Sequence, residues 1–430
     1  MNLPLFSKKY NNPQSVITIS SYPGQRDKSI KNLNAVAAYF SRLAPSLNSH
    51  LNTKGGKLII LAEKLKGEES FYEENGVLVV RCWTRNHPLY IFQLLFTAIK
   101  FSRVNKIFIQ FEFNMFGKIF ATGLLPLLLL LLRVFGKNTT ILLHQVVDDL
   151  SSLGGHINLR KGSLKSGVLN NALRLFYTLT ALFSSKIIVH ENVLKERLKK
   201  VTHKPISVIP IGLGWFGEPY SNEGARKHLS IGDDTFVLLC FGFITWYKGS
   251  DWIVQETQKY LLSHPDANIL LLLAGGESAN LKDQAHYKEY YKNILEMVQN
   301  DTRIRLTGFV DDADVPYYFS VADIVLLPYR TQMSASGPLA VALEYEKPFL
   351  ISSNISETLD AEDFEEALKH LNLSKQAVTF EMDNNTLFTK IDGLISRPET
   401  LERLKKLSAF VRKNRLWANV SKKFIDIIQS

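Results

Sequence analysis

The chain has 430 residues, 46% hydrophobic and 11% aromatic, which is enough to bury more than one core; the length points to two or three domains and the composition excludes a disordered chain. Lys and Arg outnumber Asp and Glu by 51 to 41, a net charge of +10. Only Cys82 and Cys240 occur, both inside apolar runs, which excludes a disulfide framework or a cysteine-built metal site and points to a reducing compartment. The opening Met1–Ser15 lacks the long apolar core of a secretion signal, so a cytoplasmic location is expected.

The first half alternates strand and helix. Strands are predicted at Val16–Ser20, Lys57–Ala62, Gly76–Trp83, Lys106–Phe113, Thr140–His144 and Lys186–His190, with helical periodicity at Asn34–Leu43 and about Leu89–Phe101. Ile119–Leu132 is shorter than the roughly 20 apolar residues a membrane span needs and contains Gly123 and Pro126, so a buried core helix is the better reading. Pro210–Tyr220 reads as a linker, after which the alternation restarts at Phe236–Phe241 and continues through strands at Ile269–Ala274, Ile304–Gly308, Asp323–Pro328 and Pro348–Ser352. The fold class expected is α/β, with two Rossmann-like domains whose parallel sheets face a central cleft. Their bounds are 1–212 and 213–414, and the amphipathic helix within 415–430 is expected to pack back on the first domain.

Phe236–Trp252 is the most informative stretch. A continuously apolar strand ends at Gly242, which allows a sharp exit or a close backbone approach. Lys248-Gly249 then precede Ser250 and Asp251, candidate caps of the next helix. A lysine at the carboxyl end of such a strand can reach an anion in the crevice there, although a lone lysine in a loop is more often only solvated.

Phe241-Gly-Phe-Ile-Thr-Trp-Tyr-Lys-Gly, Leu273-Ala-Gly-Gly, Leu306-Thr-Gly-Phe-Val, Ala322-Asp-Ile-Val-Leu-Leu-Pro-Tyr and Ser336-Gly-Pro-Leu-Ala-Val-Ala-Leu follow one another in an order that resembles the donor half of the GT-B glycosyltransferases. The family is the large retaining one that includes sucrose synthases and bacterial mannosyltransferases. The first half is similar more loosely, through Ser21-Tyr-Pro-Gly, His144 and Val208-Ile-Pro-Ile-Gly.

The resemblance implies that Lys248 and His144 serve catalysis, Lys248 at the donor diphosphate and His144 near the sugar or acceptor. It further implies donor contacts from Gly242, from Gly308, Phe309 and Val310 at the base, and from Ser336, Gly337, Pro338 and Leu339 at the opening of a helix. His190 competes with His144, and Ser336 also reads as a plain N-cap. The sequence departs from the family where its two glutamates are common, here Met333 and Val341, and Glu346 stands where a glycine precedes Lys347-Pro348. The arginine usual before Lys248 is absent, and the first loop is poor in glycine, with Arg26 and Lys28 as substitutes for its positive charge.

The expected activity is therefore metal-independent transfer of a hexose-type sugar, with retention, from a nucleotide diphosphate sugar to a hydroxyl of a glycan or lipid-linked glycan, without a cofactor. The alternative is a non-catalytic protein of the same fold that binds a nucleotide sugar or glycan, or acts as a partner subunit in glycan assembly. Asp312 and Asp314 have the spacing of a metal pair but sit where a helix starts, so capping is preferred. Ten Lys/Arg between Arg160 and Lys204 face only Glu191 and Glu196, which suits an anionic membrane surface at the inner face of the membrane or a nucleotide sugar, and equally a solvated helix face. No nucleic-acid motif is present.

Overall fold

The computed structural model describes residues 8–25, 35–149, 164–278, 281–383 and 386–430. The expected substitutes Arg26 and Lys28, and Arg160 and Lys161 of the basic region, lie outside them. The first sheet contains β1 (Val16–Ile19), β2 (Leu58–Glu63), β3 (Phe71–Glu74), β4 (Val77–Trp83), β5 (Lys106–Phe111), β6 (Asn138–Leu143), β7 (Lys186–Val189) and β8 (Ile206–Val208), in the order β3-β4-β2-β1-β5-β6-β7-β8. The second contains β9 (Phe236–Phe241), β10 (Ile269–Ala274), β11 (Ile304–Leu306), β12 (Ile324–Leu327), β13 (Phe349–Ser352) and β14 (Thr379–Phe380), in the order β11-β10-β9-β12-β13-β14. All pairs are parallel except the hairpin β3–β4.

The fold class is the one expected, α/β with two parallel-dominated sheets. Three short strands escaped the sequence reading. β3 joins β4 through Asn75-Gly76, both at positive φ (52° and 76°), a pair whose twist suits a two-residue hairpin. β8 and β14 are edge strands of three and two residues, too short for a periodic signal.

The strands read as continuous apolar runs because both faces are covered. In β1 and β2, Ile17, Ile19, Ile59 and Leu61 face a core shared with the helices Tyr90–Lys100 and Leu125–Val134, while Val16, Leu58 and Ile60 face a second core with the helix Ala35–Thr53. That second core also takes Val420, Phe424 and Ile425 of the helix Trp417–Gln429. Lys106 and Lys186 reach its C-terminal carbonyls at Gln429 and Ile427, each at 2.7 Å, where the helix dipole favours cations. A third core runs from Leu213 to Val411 around the second sheet.

The apolar stretch at 119–132 is not the buried core helix expected. It forms two helices, Ile119–Gly123 and Leu125–Val134, the second starting with Pro126 in its first turn. Leu125, Leu128, Leu129 and Leu132 are buried, but Ile119 and Phe120 are 84% and 71% exposed. No helix of the described residues is long and apolar enough to cross a membrane.

The chain crosses between the sheets twice, and the crossings are bound together. Leu213 bridges Leu416, Leu213 N–H donates to the Arg415 carbonyl at 2.8 Å, and a Cβ on Gly212 would meet the Trp417 ring at 2.2 Å. Glu344, at the end of the helix Gly337–Glu344, accepts the N–H groups of Gly214, Trp215 and Phe216 at 3.2, 2.8 and 2.9 Å. Arg42 donates to the Trp215 carbonyl at 3.0 Å, lies over the Trp215 ring and pairs with Asp312 at 3.6 Å. Asp312 is thus an inter-sheet ion-pair partner, and Asp314, although at the N-cap position, makes no side-chain cap hydrogen bond, so the capping expected of the pair is not what holds them.

Glu346, in the family's glycine position, has φ +52°, a conformation costing an L-residue about 1–2 kcal/mol. Its half-exposed contact with Arg412 at 3.1 Å returns only a few tenths of that. Glu346→Gly is expected to raise the unfolding midpoint in a thermal melt, with a gain of about 1 kcal/mol.

Candidate active site

Strand order places the crevice. In the second sheet the chain leaves β9 toward β10 and β11, then returns to the other side as β12, β13 and β14, so the carboxyl ends of β9 and β12 flank a topological switch point. The loops meeting there are Gly242–Gly249 and Pro328–Ser336. In the first sheet the corresponding point lies between β1 and β5, at Ser20–Gly24 and Glu112. The two edges face each other: Gln145 bridges Ser334, and Asn192 Nδ2 donates to the Asp360 carbonyl at 2.8 Å.

Lys248 closes a short 3-10 turn after β9. Its ammonium lies 5.9 Å from the centroid of the Tyr329 ring, in a recess also lined by Cys240, Gly242, Leu273 and Pro328. Burial pulls its pKa down to about 8, and no ion pair to it is found among the described residues. Gly242 takes φ +98°, and a Cβ there would stand 2.7 Å from Lys248 Nζ and 3.5 Å from Pro338 Cγ. Gly249 takes φ +71°, and a Cβ would strike the Pro328 carbonyl oxygen at 2.0 Å, so the loops after β9 and β12 meet only because this residue is glycine.

Gly249, and not Ser250 or Asp251, holds the N-cap position of the helix Ser250–Ser263. Asp251 instead takes both arms of Arg330, at 2.7 and 2.8 Å, while Arg330 also donates to the Trp246 carbonyl at 2.6 Å and covers the Trp246 ring. A planar bidentate pair of this kind fixes the loop carrying Lys248. Sequence reading missed Arg330, because nothing local links it to a loop some eighty positions away.

Ser336 caps the helix Gly337–Glu344 as expected, its Oγ accepting the Leu339 N–H at 3.2 Å. This reduces what the helix opening offers an anion. Leu339 N–H is engaged and its side chain is buried, Pro338 has no N–H, and Ala340 N–H bonds the Ser336 carbonyl. The backbone donors of Ser336 and Gly337 remain, and the first of these meets a carboxylate from the other sheet, Glu191. Glu191 follows β7, accepts from Gln332 Nε2 and from Thr358 Oγ1 at 2.8 Å, and burial raises its pKa. Of the two positions where the family's glutamates are common, Val341 is core and Met333 stands in the loop next to Gln332.

Gly308 has open space around it, Phe309 is largely exposed and Val310 is half-buried. The rings of Phe309 and Phe243 lie 6.4 Å apart at the rim, two π-faces beside the same edge.

His144, just past β6, is half-buried and pairs with His190, so the two candidates form one unit. His190 Nδ1 is 2.9 Å from the Ile209 carbonyl and so carries a proton; His190 Nε2 then accepts from His144 Nδ1–H at 3.1 Å. His144 Nε2 is left as a lone pair 2.8 Å from the Gln110 amide oxygen, while the amide nitrogen has no partner. Exchanging the two isosteric amide atoms satisfies both groups, so Gln110 donates to His144. Burial lowers both histidine pKa values, that of His190 to about 4, keeping the chain neutral at pH 7. The Tyr39 ring stands edge-on to both, 4.8 and 5.2 Å away.

Glu112, just past β5, was read as part of a strand. It accepts from Gln145 at 3.2 Å, and burial pushes its pKa up to about 7, partly offset by Arg85. It is a carboxyl at the first switch point that titrates at neutral pH.

Residues 235–372 match the family model described as Glycosyl transferases group 1. Over the whole chain the structure is similar to sucrose-phosphate synthase from Thermosynechococcus elongatus (15% identity, 96% of this chain and 98% of that one, TM-score 0.67) and to a glycosyltransferase from Rickettsia africae (14%, 98% and 98%, 0.64). It is also similar to HepE from Anabaena in complex with UDP-glucose (13%, 96% and 99%, 0.63). No curated protein matches. The fold is that of the GT-B glycosyltransferases, as the sequence resemblance implied.

Two outcomes are expected of this geometry. An ammonium with a pKa near 8 is charged below that pH and loses its charge above it, so affinity for a nucleoside diphosphate, followed by calorimetry, should fall as pH rises through 8; Lys248→Ala should remove that dependence. In Gly242→Ala the strained φ should cost about 1–3 kcal/mol in a denaturant titration, and the new methyl should displace the ammonium.

Proposed function

We propose that the protein is a metal-independent glycosyltransferase that moves a hexose-type sugar, with retention of configuration, from a nucleotide diphosphate sugar to a hydroxyl of a glycan or lipid-linked glycan. The observation that carries this is the half-buried, unpaired ammonium of Lys248 at the switch point of a group 1 glycosyl transferase sheet, facing the opening of the helix Gly337–Glu344. A cation so placed gains most from a ligand whose negative charge grows during reaction, as the leaving diphosphate's does when the sugar–phosphate bond breaks. Gly242 and Pro338 shape the recess, Gly337 supplies its N–H to the same diphosphate, that of Ser336 joining it on release from Glu191, and Gly308, Phe309 and Val310 border the base. HepE's complex with UDP-glucose supports a donor of this class.

The division of labour follows the two sheets, residues 213–414 holding the donor and residues 1–212 the acceptor. A sugar hydroxyl would replace Gln110 as the partner of His144 Nε2. Glu112 would take the acceptor hydroxyl's proton at neutral pH. Metal independence is supported by Asp312, whose carboxylate is taken up by Arg42, and by Lys248, which supplies the positive charge a metal would otherwise bring.

The test is release of free nucleoside diphosphate from a panel of UDP-, GDP- and ADP-sugars. Turnover of one donor, unaffected by a chelator and reduced about 100-fold or more in Lys248→Ala, is expected. Binding of a donor as heat without turnover, in the presence of candidate acceptors, would instead favour a non-catalytic nucleotide-sugar-binding protein. In the active enzyme the rate should climb through pH 7 as Glu112 ionises, and Glu112→Gln should flatten that limb.

A further inference from the structure

The helices Tyr90–Lys100, Leu125–Val134 and Leu164–Phe183 pack side by side over one face of the first sheet. Their inner residues, such as Leu94, Leu128 and Tyr177, belong to its core. Their outer residues are apolar as well. Eleven of the nineteen large apolar side chains exposed among the described residues lie between Leu89 and Leu182, including Phe92, Phe96 and Leu127, with Ile119 and Phe120 most exposed at the start of the layer. Exposed apolar residues concentrated on neighbouring helices in this way mark an interaction surface.

Charge says what covers it. From Asn86 to Val147 the only acidic residue is Glu112, in the cleft, and from Leu150 to His190 there is none. Lys100, Arg103, Lys118, Arg133 and Arg174 are all exposed around the layer. Most of the basic run between Lys186 and Lys204 serves other ends: Arg197 and Lys200 pair with Asp148, and Lys186 and Lys204 bond backbone carbonyls. Two copies of this face brought together would set cation against cation with no carboxylate between them, which disfavours self-association. Anionic phospholipid headgroups over acyl chains complement both its charge and its apolar character.

We infer that this three-helix layer docks on an anionic bilayer surface, with Ile119, Phe120, Phe92 and Phe96 entering the interface and the surrounding Lys and Arg side chains meeting lipid phosphates. Ile119 and Phe120 lie shortly after the carboxyl end of β5, the edge that carries Glu112, so docking brings the mouth of the cleft to the membrane. On the glycosyltransferase reading, an acceptor could then be presented from the bilayer; the docking itself does not depend on that reading.

Flotation of the full chain with vesicles of phosphatidylcholine alone, or of phosphatidylcholine and phosphatidylglycerol in equal parts, tests this without any donor. Binding to the second and not the first is expected, with a loss of about tenfold or more in high salt, in Lys100→Glu/Lys118→Glu and in Ile119→Ser/Phe120→Ser. These side chains are exposed, so the variants should keep the wild-type melting temperature. Absence of flotation with both vesicles, or equal flotation of wild type and variants, overturns the inference. A concentration-dependent dimer that Phe92→Ser/Phe96→Ser dissolves, with no flotation, overturns it in favour of a second copy of the chain.

Discussion

An ammonium group partly stripped of water and given no carboxylate is costly, and the second sheet is arranged to hold one. Lys248 is kept in place by Arg330, which clamps Asp251 and the Trp246 carbonyl on either side of it. Gly242 leaves room for the ammonium, and Gly249 lets the loops after β9 and β12 touch. The depressed pKa is the mark of that cost. A bound anion such as the proposed diphosphate would relieve it.

The second constraint is the alignment of two switch points across the crossings between the sheets. Parallel sheets put their functional loops at one edge, so two such sheets form a cleft only if those edges face each other. Glu344 holds the first crossing by three backbone N–H groups, Trp417 fills the space a side chain at Gly212 would need, and Arg42 ties the crossing to Asp312. The helix that opens beside Lys248 ends at Glu344, so the proposed donor site and the first crossing share one element. Across the cleft, Glu191 meets Gln332, Thr358 and the N–H of Ser336. A carboxylate thus stands at the helix opening where an anion would bind.

Much of this was legible in the chain. Phe236–Phe241 and Ile269–Ala274 announced buried parallel strands because both of their faces are apolar, and Ser336 announced a helix start because its hydroxyl suits a cap. What escaped notice had no local signal. Arg330, Glu112 and Glu191 each look like ordinary polar residues near a strand end, and their importance comes from partners far along the chain. The apolar segment at 119–132 was misread for a related reason. Its composition is that of a core helix, but a helix on the outside of a sheet has a second face, and composition does not say whether anything covers it.

The sequence by itself determined the alternation of strand and helix, the restart at Phe236 and the presence of a lysine, glycines and a capped helix around one strand end, because these depend on periodicity, turn chemistry and short-range contacts. Only the tertiary structure decided which strand ends became neighbours, that His144 and His190 form one proton-ordered chain, and that Glu344 anchors the first crossing between the sheets. Those outcomes rest on sheet order and on burial, and burial at a given atom is set by the whole packed chain around it.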